Sequence, residues 1–180
     1  MKLKLRTSKK EDIDKIYDLQ LKCFNVNDAW YKQIICQYIN NGLVIENENN
    51  NDIIGVLLQG NLTPCNIKYD FYNKCDYNED IFEPVNNDGE LFLNNNKHHD
   101  NYHGILMICI DEQFRKKNLA QKLILTFFEQ NKNITVGLFT RKSNINAYNL
   151  YLKMEFNHIG NIKNKYFNPI EDAIFMIKNL

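Results

Sequence analysis

The stretch Ile105-Leu106-Met107-Ile108-Cys109-Ile110-Asp111-Glu112-Gln113-Phe114-Arg115-Lys116-Lys117-Asn118-Leu119-Ala120 decides the fold. Its first six residues are an unbroken apolar run, the pattern of a buried strand. From Leu119 the spacing changes. Leu119, Leu123 and Phe127 form one stripe and Ala120, Ile124 and Phe128 another, which predicts a core-facing helix running to about Gln130. A polar elbow separates the two elements. The first turn of such a helix exposes backbone N–H groups that have no partner inside the helix, and the helix dipole makes that end an anion site. Arg115, Lys116 and Lys117 add positive charge there, so the expected anion is a phosphate or pyrophosphate.

Working outward, Leu3-Lys4-Leu5-Arg6 alternates as a short strand. Ser8 and Glu11 have capping-box spacing and open a helix with Ile13, Ile16, Tyr17, Leu21 and Phe24 on its apolar side. Asn25-Val26-Asn27 breaks it. Asp28 is placed to cap a second helix, with Trp30, Ile34 and Tyr38 on one row and Tyr31, Ile35 and Ile39 on the next; Asn41-Gly42 ends it. Leu43-Val44-Ile45-Glu46 and Ile53-Ile54-Gly55-Val56-Leu57-Leu58 predict an antiparallel hairpin. Residues 60–102 lose all periodicity and read as a polar insertion, with a short strand at Glu90-Leu91-Phe92-Leu93. Downstream, Ile134, Val136, Leu138 and Thr140 alternate as a strand. Ser143 or Asn144 caps a helix carrying Ala147, Leu150, Tyr151 and Met154 on one face. Residues 156–162 and 172–177 are the last two strands, with Lys163-Asn164-Lys165-Tyr166-Phe167-Asn168-Pro169 as the connection. The expected organisation is one domain over residues 1–180.

Composition narrows the function. The 180 residues carry 22 basic and 22 acidic side chains, and a net charge of zero argues against a nucleic-acid partner. No apolar stretch is long enough to span a bilayer, so no membrane partner is expected. Five cysteines, an odd number without a CxxC pair, favour reduced thiols and a cytoplasmic location. His98, His99 and Asp100, with Cys65 and Cys75, fit no zinc spacing, and no metal is expected. Cys109 reads as a small core hydrophobe. The oligomeric expectation is a monomer or a dimer.

Arg115-Lys116-Lys117-Asn118-Leu119-Ala120 resembles the acetyl-CoA loop of the GNAT acetyltransferases, Arg/Gln-x-x-Gly-x-Gly/Ala, with Asn118 at the first glycine position. Asn tolerates a left-handed backbone better than other non-glycine residues. Residues 144–156, from Asn144 through Ala147, Leu150 and Tyr151 to Phe156, resemble the second signature of the same family, Asn-x-x-Ala-x-x-Phe/Leu-Tyr-x-x-x-Gly-Phe, with Glu155 at its glycine. Phe24-Asn25-Val26-Asn27-Asp28-Ala29-Trp30-Tyr31 and Lys163-Asn164-Lys165-Tyr166 are similar to two segments of N-terminal acetyltransferases of the NatE and NatF type. The resemblance implies an α+β (α/β/α) fold: a mixed, mostly antiparallel sheet that splays in the middle and is flanked by helices.

The resemblance also implies the chemistry. Acetyl-CoA would be the co-substrate, held by Ile108, Cys109 and Ile110 of the central strand, by the loop residues Arg115, Lys116, Lys117, Asn118, Leu119 and Ala120, and by Asn144, Ala147 and Tyr151. Tyr151 would donate to the CoA sulfur. Phe24, Val26 and Tyr166 would wall the acceptor, which in that branch is the free amine of a peptide. Counting along the strands, the branch's catalytic Tyr falls on Gly104 and its catalytic His on Phe139, so neither base is present. His103, beside the first position, has the intrinsic pKa of a proton shuttle, and a water relay is the alternative. The expected activity is acetylation of a protein or peptide N-terminus. A small-amine or lysine acetyltransferase and a catalytically weak acyl-CoA-binding module are the alternatives.

Overall fold

The computed structural model describes residues 2–24, 28–62, 82–85 and 102–180. Val26, the strand expected at 90–93 and the His98, His99, Asp100, Cys65 and Cys75 group lie outside them. The contacts divide the chain into two units, residues 1–60 with 105–132 and residues 61–104 with 133–180.

In the first unit, β1 (Leu3–Thr7), β2 (Leu43–Asn47), β3 (Asp52–Leu62) and β5 (Tyr102–Ile110) lie side by side in that order. β1–β2 and β2–β3 are antiparallel, with Leu5 opposite Ile45 and Val44 opposite Val56. A Cβ on Gly55 would meet Ile110 and one on Gly60 would meet Leu106, so β5 also runs antiparallel to β3. Helices α1 (Ile13–Cys23) and α2 (Lys32–Tyr38) cover one face. Ile16, Leu19, Ile35 and Ile39 pack there on Val44, Val56, Leu58, Met107 and Cys109. Helix α3 (Leu119–Gln130) lies against β2 on the other face, burying Leu123, Ile124 and Phe127. Burying each such side chain contributes about 1.5–3 kcal/mol.

The second unit orders its strands β6 (Thr135–Arg141), β8 (Ile170–Asn179), β7 (Asn157–Phe167) and β4 (Phe82–Pro84), all antiparallel. Helix α4 (Ile145–Lys153) sets Tyr148 edge-on to His158 and Tyr151 edge-on to Phe156. Ile159 and Phe175 form a core with Tyr102, Phe139 and Ile177.

Several expectations change. Ser8 does not cap α1; its hydroxyl donates to the Ile39 carbonyl, and Asp12 accepts from the Lys9 N–H at 2.9 Å instead. Leu21 is exposed while Leu19 and Gln20 are buried, because Gln20 bonds the backbone of Trp30 and turns the buried stripe toward itself. Helix α2 begins at Lys32, beyond Asp28. The hairpin strand β3 continues to Leu62, and β4 is a strand the sequence pattern did not signal. The connection expected at 163–169 is mostly strand: β7 runs to Phe167 through an irregularity between Ile162 and Tyr166.

Candidate active site

The elbow after β5 is built from local hydrogen bonds. The Asp111 carboxylate accepts from the Gln113 N–H at 3.0 Å, and the Asp111 N–H ties the elbow to Ile54 at 2.9 Å. Lys116 (φ 61°) and Asn118 (φ 56°) then take left-handed conformations on either side of Lys117. Helix α3 starts at once, and the Leu119, Ala120 and Gln121 amides have no carbonyl four residues back inside the helix to reach. The three cations differ in posture. Arg115 donates from Nε to the Ile110 carbonyl at 3.2 Å. Lys117 folds back over the Phe114 ring at 5.0 Å. Lys116 is exposed and makes no side-chain bond among the described residues.

The left-handed geometry carries a test. Asn118→Gly is expected to keep or slightly raise stability, whereas Asn118→Ala is expected to cost about 1 kcal/mol, because an alanine Cβ crowds the following carbonyl oxygen at positive φ. Urea denaturation midpoints compare the two. Equal midpoints would mean that the residue leaves this conformation.

On β5, the side-chain alternation slips. Leu106 flanks Gly60 beside Tyr38 of α2, yet Met107 and Cys109 also face the α1–α2 core. Ile108 is half-buried and Ile110 is buried. The Cys109 side chain is committed to the core. Cys23 donates to the Ile110 carbonyl at 3.3 Å, the acceptor Arg115 also uses. A hydrogen bond from Cys109 pulls the Cys23 thiol down to about 7, against burial and with help from Arg115. The same bond, with complete burial, pushes the Cys109 thiol well up.

Gly104 explains why this chain has no Tyr there. A Cβ at that position would collide with the Leu62 side chain, which fills the space. Tyr102, two residues earlier and therefore on the same face, packs into the core with Phe139. His103 points to the opposite face, half-buried, and loss of solvation lowers its pKa. Phe139 stacks on Phe175 at 4.7 Å.

Helix α4 is fixed at both ends. Asn144 is the cap, its side-chain oxygen accepting from the Ala147 N–H at 3.2 Å; Ser143 instead bonds the Glu171 carboxylate. At the other end the Phe156 N–H reaches the Tyr151 carbonyl at 3.0 Å and the Glu155 N–H reaches Leu152 at 2.9 Å. That is a Schellman motif, with Glu155 at the left-handed position (φ 63°) and Phe156 touching Tyr151 across it. The signature glycine is thus replaced by a glutamate that keeps the glycine conformation and bonds Lys178 at 2.7 Å. Tyr151 is 5% exposed, and burial raises its pKa, so its hydroxyl keeps its proton. Of the acceptor-wall residues, Phe24 ends α1 in extended conformation against the α1–α2 core, and Tyr166 lies under the Arg141 guanidinium at 4.3 Å.

An α/β/α arrangement with a phosphate-type turn between its strand and helix is the architecture of the GNAT transferases. The acetyltransferase (GNAT) family model matches residues 13–156, and the chain belongs to that family. Comparison with curated proteins returns no match. Among solved structures the chain is similar to Arabidopsis thaliana NAA60 in complex with acetyl-CoA, at 15% identity over 99% of this chain and 100% of that one, with a TM-score of 0.72. It is similar to the ribosomal-protein-S18-alanine N-acetyltransferase of Escherichia coli at 14% identity over 99% and 94%, with a TM-score of 0.68. It is also similar to the loading GNATL domain of CurA from Lyngbya majuscula at 12% identity over 99% and 98%, with a TM-score of 0.70. At these identities the likeness shows the fold alone. Among the described residues there is no cluster able to hold a metal ion, and no helix long and apolar enough to cross a membrane.

Proposed function

We propose that this acetyltransferase uses acetyl-CoA to acetylate the α-amino group of a protein or peptide N-terminus. The observation that carries the co-substrate is the turn at Lys116 to Asn118, whose left-handed residues deliver a helix start with unpaired amides beside an uncommitted lysine. These groups fit a pyrophosphate. Acetyl-CoA supplies an activated acyl carbon and a sulfur leaving group. By the resemblance, the main chain of Ile108 and Ile110 and the residues Asn144 and Ala147 would bond the pantetheine arm, and Tyr151 keeps an O–H donor for the sulfur.

The acceptor rests on three supports. Phe24 and Tyr166 stand at the positions of the peptide-clamping segments, with Val26 the third member of that set. The similar structures include the ribosomal-protein-S18-alanine N-acetyltransferase of Escherichia coli and Arabidopsis thaliana Naa50 in complex with the bisubstrate analogue CoA-Ac-MVNAL. An α-amino group titrates near 8, so an appreciable neutral fraction is present without a strong base. The free thiols of Cys23, Cys36 and Cys109 fit a reducing, cytoplasmic setting, as a monomer or dimer.

A second reading, an acyl-CoA-binding module or a small-amine or lysine acetyltransferase, is favoured by the absence of both expected bases at Gly104 and Phe139. Acetyl-CoA turnover on peptides varied at residues one and two, with spermidine and free lysine alongside, separates these. Turnover confined to free α-amino peptides is the expected result. Turnover on spermidine or lysine alone would move the activity to small amines, and acetyl-CoA binding without any turnover would leave a binding module.

A further inference from the structure

Resting on the acetyl-transfer reading above, we propose that the ε-amine of Lys165 is the proton acceptor for the attacking amine. The placement comes from an irregular strand. β7 pairs with β8 through Ile162 and again from Tyr166, with a register shift between. Inside it Asn164 is left-handed (φ 52°), and its N–H is held by the Asp172 carboxylate at 3.1 Å. A regular strand would alternate its side chains; here the neighbours Lys165 and Tyr166 are both half-buried while Lys163, Asn164 and Phe167 are exposed. The Lys165 Nζ stands 4.6 Å over the centroid of Phe139. That ring belongs to the core containing Tyr102, Ile159 and Phe175. A primary amine is therefore held on an aromatic floor instead of in water, on the face of β5 that carries Tyr102 and Gly104, with Tyr166 of the acceptor wall next to it in sequence.

Desolvation lowers the Lys165 pKa to about 8, so a useful share is neutral at mildly alkaline pH. A neutral lysine is an established type of general base, and its match to an α-amino group near 8 leaves the proton transfer close to balanced. Several charged groups of the neighbouring elements make contacts of their own. Arg141 of β6 lies over Tyr166 and bonds Glu171 of β8 at 3.0 Å. Asp172 of β8 accepts from Asn164 and stands 4.0 Å from Lys142. His158 of β7 bonds Asn161 at 3.0 Å, and Lys178 of β8 bonds Glu155. In the transfer, the amine nitrogen bonds to the acetyl carbon and the carbon–sulfur bond breaks with its electron pair going to sulfur. The proton released from nitrogen passes to Lys165 Nζ and from there to the CoA thiolate, giving the amide and CoA thiol.

The test uses Lys165→Met, Lys165→Arg and Lys165→His on the full chain, with the peptide that turns over best in the screen above. Met and Arg are each expected to lower kcat about 100-fold, while acetyl-CoA affinity by calorimetry stays within about twofold. His is expected to restore part of the rate, with the acid limb of the pH profile moved down toward the ordinary histidine value of about 6.5. A Met variant within about threefold of the parent overturns the proposal. So does an Arg variant that keeps activity where Met loses it, because positive charge would then be the requirement. Loss of acetyl-CoA binding in all three overturns it as well, since Lys165 would then be holding the fold. A parent protein that turns over but ignores Lys165 leaves the acetyl-transfer reading intact. A parent that binds acetyl-CoA and acetylates no amine overturns both.

Discussion

Tyr151→Phe is expected to lower kcat about 100-fold while leaving acetyl-CoA affinity within about threefold. The substitution removes one oxygen and nothing else. The ring stays edge-on to Phe156, with centroids 5.8 Å apart, and the Schellman bonds that fix the end of α4 are main-chain bonds that a phenylalanine keeps. Burial raises the tyrosine pKa, so at working pH the hydroxyl is a donor and not a phenolate. A donor held in place by a capped helix costs no reorganisation when negative charge develops on sulfur, which is why its loss falls on kcat. Steady-state kinetics with calorimetric binding of acetyl-CoA checks the split. An unchanged kcat would reduce Tyr151 to a packing residue.

Arg6→Leu is expected to destabilise the protein by about 3 kcal/mol at neutral pH, a fall in Tm of roughly 10 °C for a chain of this size. Arg6 grips the Asp12 carboxylate with both terminal nitrogens, at 2.7 and 2.9 Å, and reaches Glu46 through Nε at 2.8 Å. Asp12 is 2% exposed. Burial alone would raise its pKa, but the Arg6 guanidinium and the Lys9 N–H together hold it below the ordinary carboxylate value. A depressed folded-state pKa gives stability that is present above the unfolded value of about 3.9 and is lost as pH falls through the folded one. Without Arg6 the sign reverses. Asp12 is then buried with its main-chain bond alone, its pKa rises, and the variant loses stability as pH climbs. The gap between parent and variant is therefore widest near neutrality and narrows toward about pH 4. Urea denaturation at both pH values measures it. A gap that ignores pH would assign the loss to the leucine's packing. The double variant Arg6→Leu with Asp12→Leu is expected to recover most of the loss, since the fully buried carboxylate is removed with its partner and only the partly exposed Glu46 is left without Arg6.

Apolar periodicity was sufficient for the parts of the fold whose burial is regular. β5, α3 and the β2–β3 hairpin stand where Ile105 to Ile110, Leu123 with Phe127, and Val44 with Val56 place them. It failed where tertiary contacts set the local structure. Gln20 is buried because it meets the Trp30 backbone ten residues on, and no spacing rule anticipates a polar residue in an apolar stripe. β4 is three residues long and exists by pairing with β7, so its pattern is too short to stand out. The same division holds at the candidate site. Asn118 and Asn144 were legible because a left-handed turn and a helix cap are local chemistry. Lys165 was not, because its burial follows from a register shift between β7 and β8, and Lys163-Asn164-Lys165 has the composition of a loop.

The Gln20 side chain binds both the N–H and the carbonyl of Trp30, while its own carbonyl accepts the Phe24 N–H that ends α1. One residue thus anchors both sides of the connection that carries Val26. With the ends fixed by α1 itself, lengthening the connection costs little: closure entropy adds only about 0.6 kcal/mol for each doubling of length. The length of the chain at this one point is therefore free to change by insertion or deletion. A loop transplanted between Phe24 and Trp30 offers an engineer the same freedom without repacking the core.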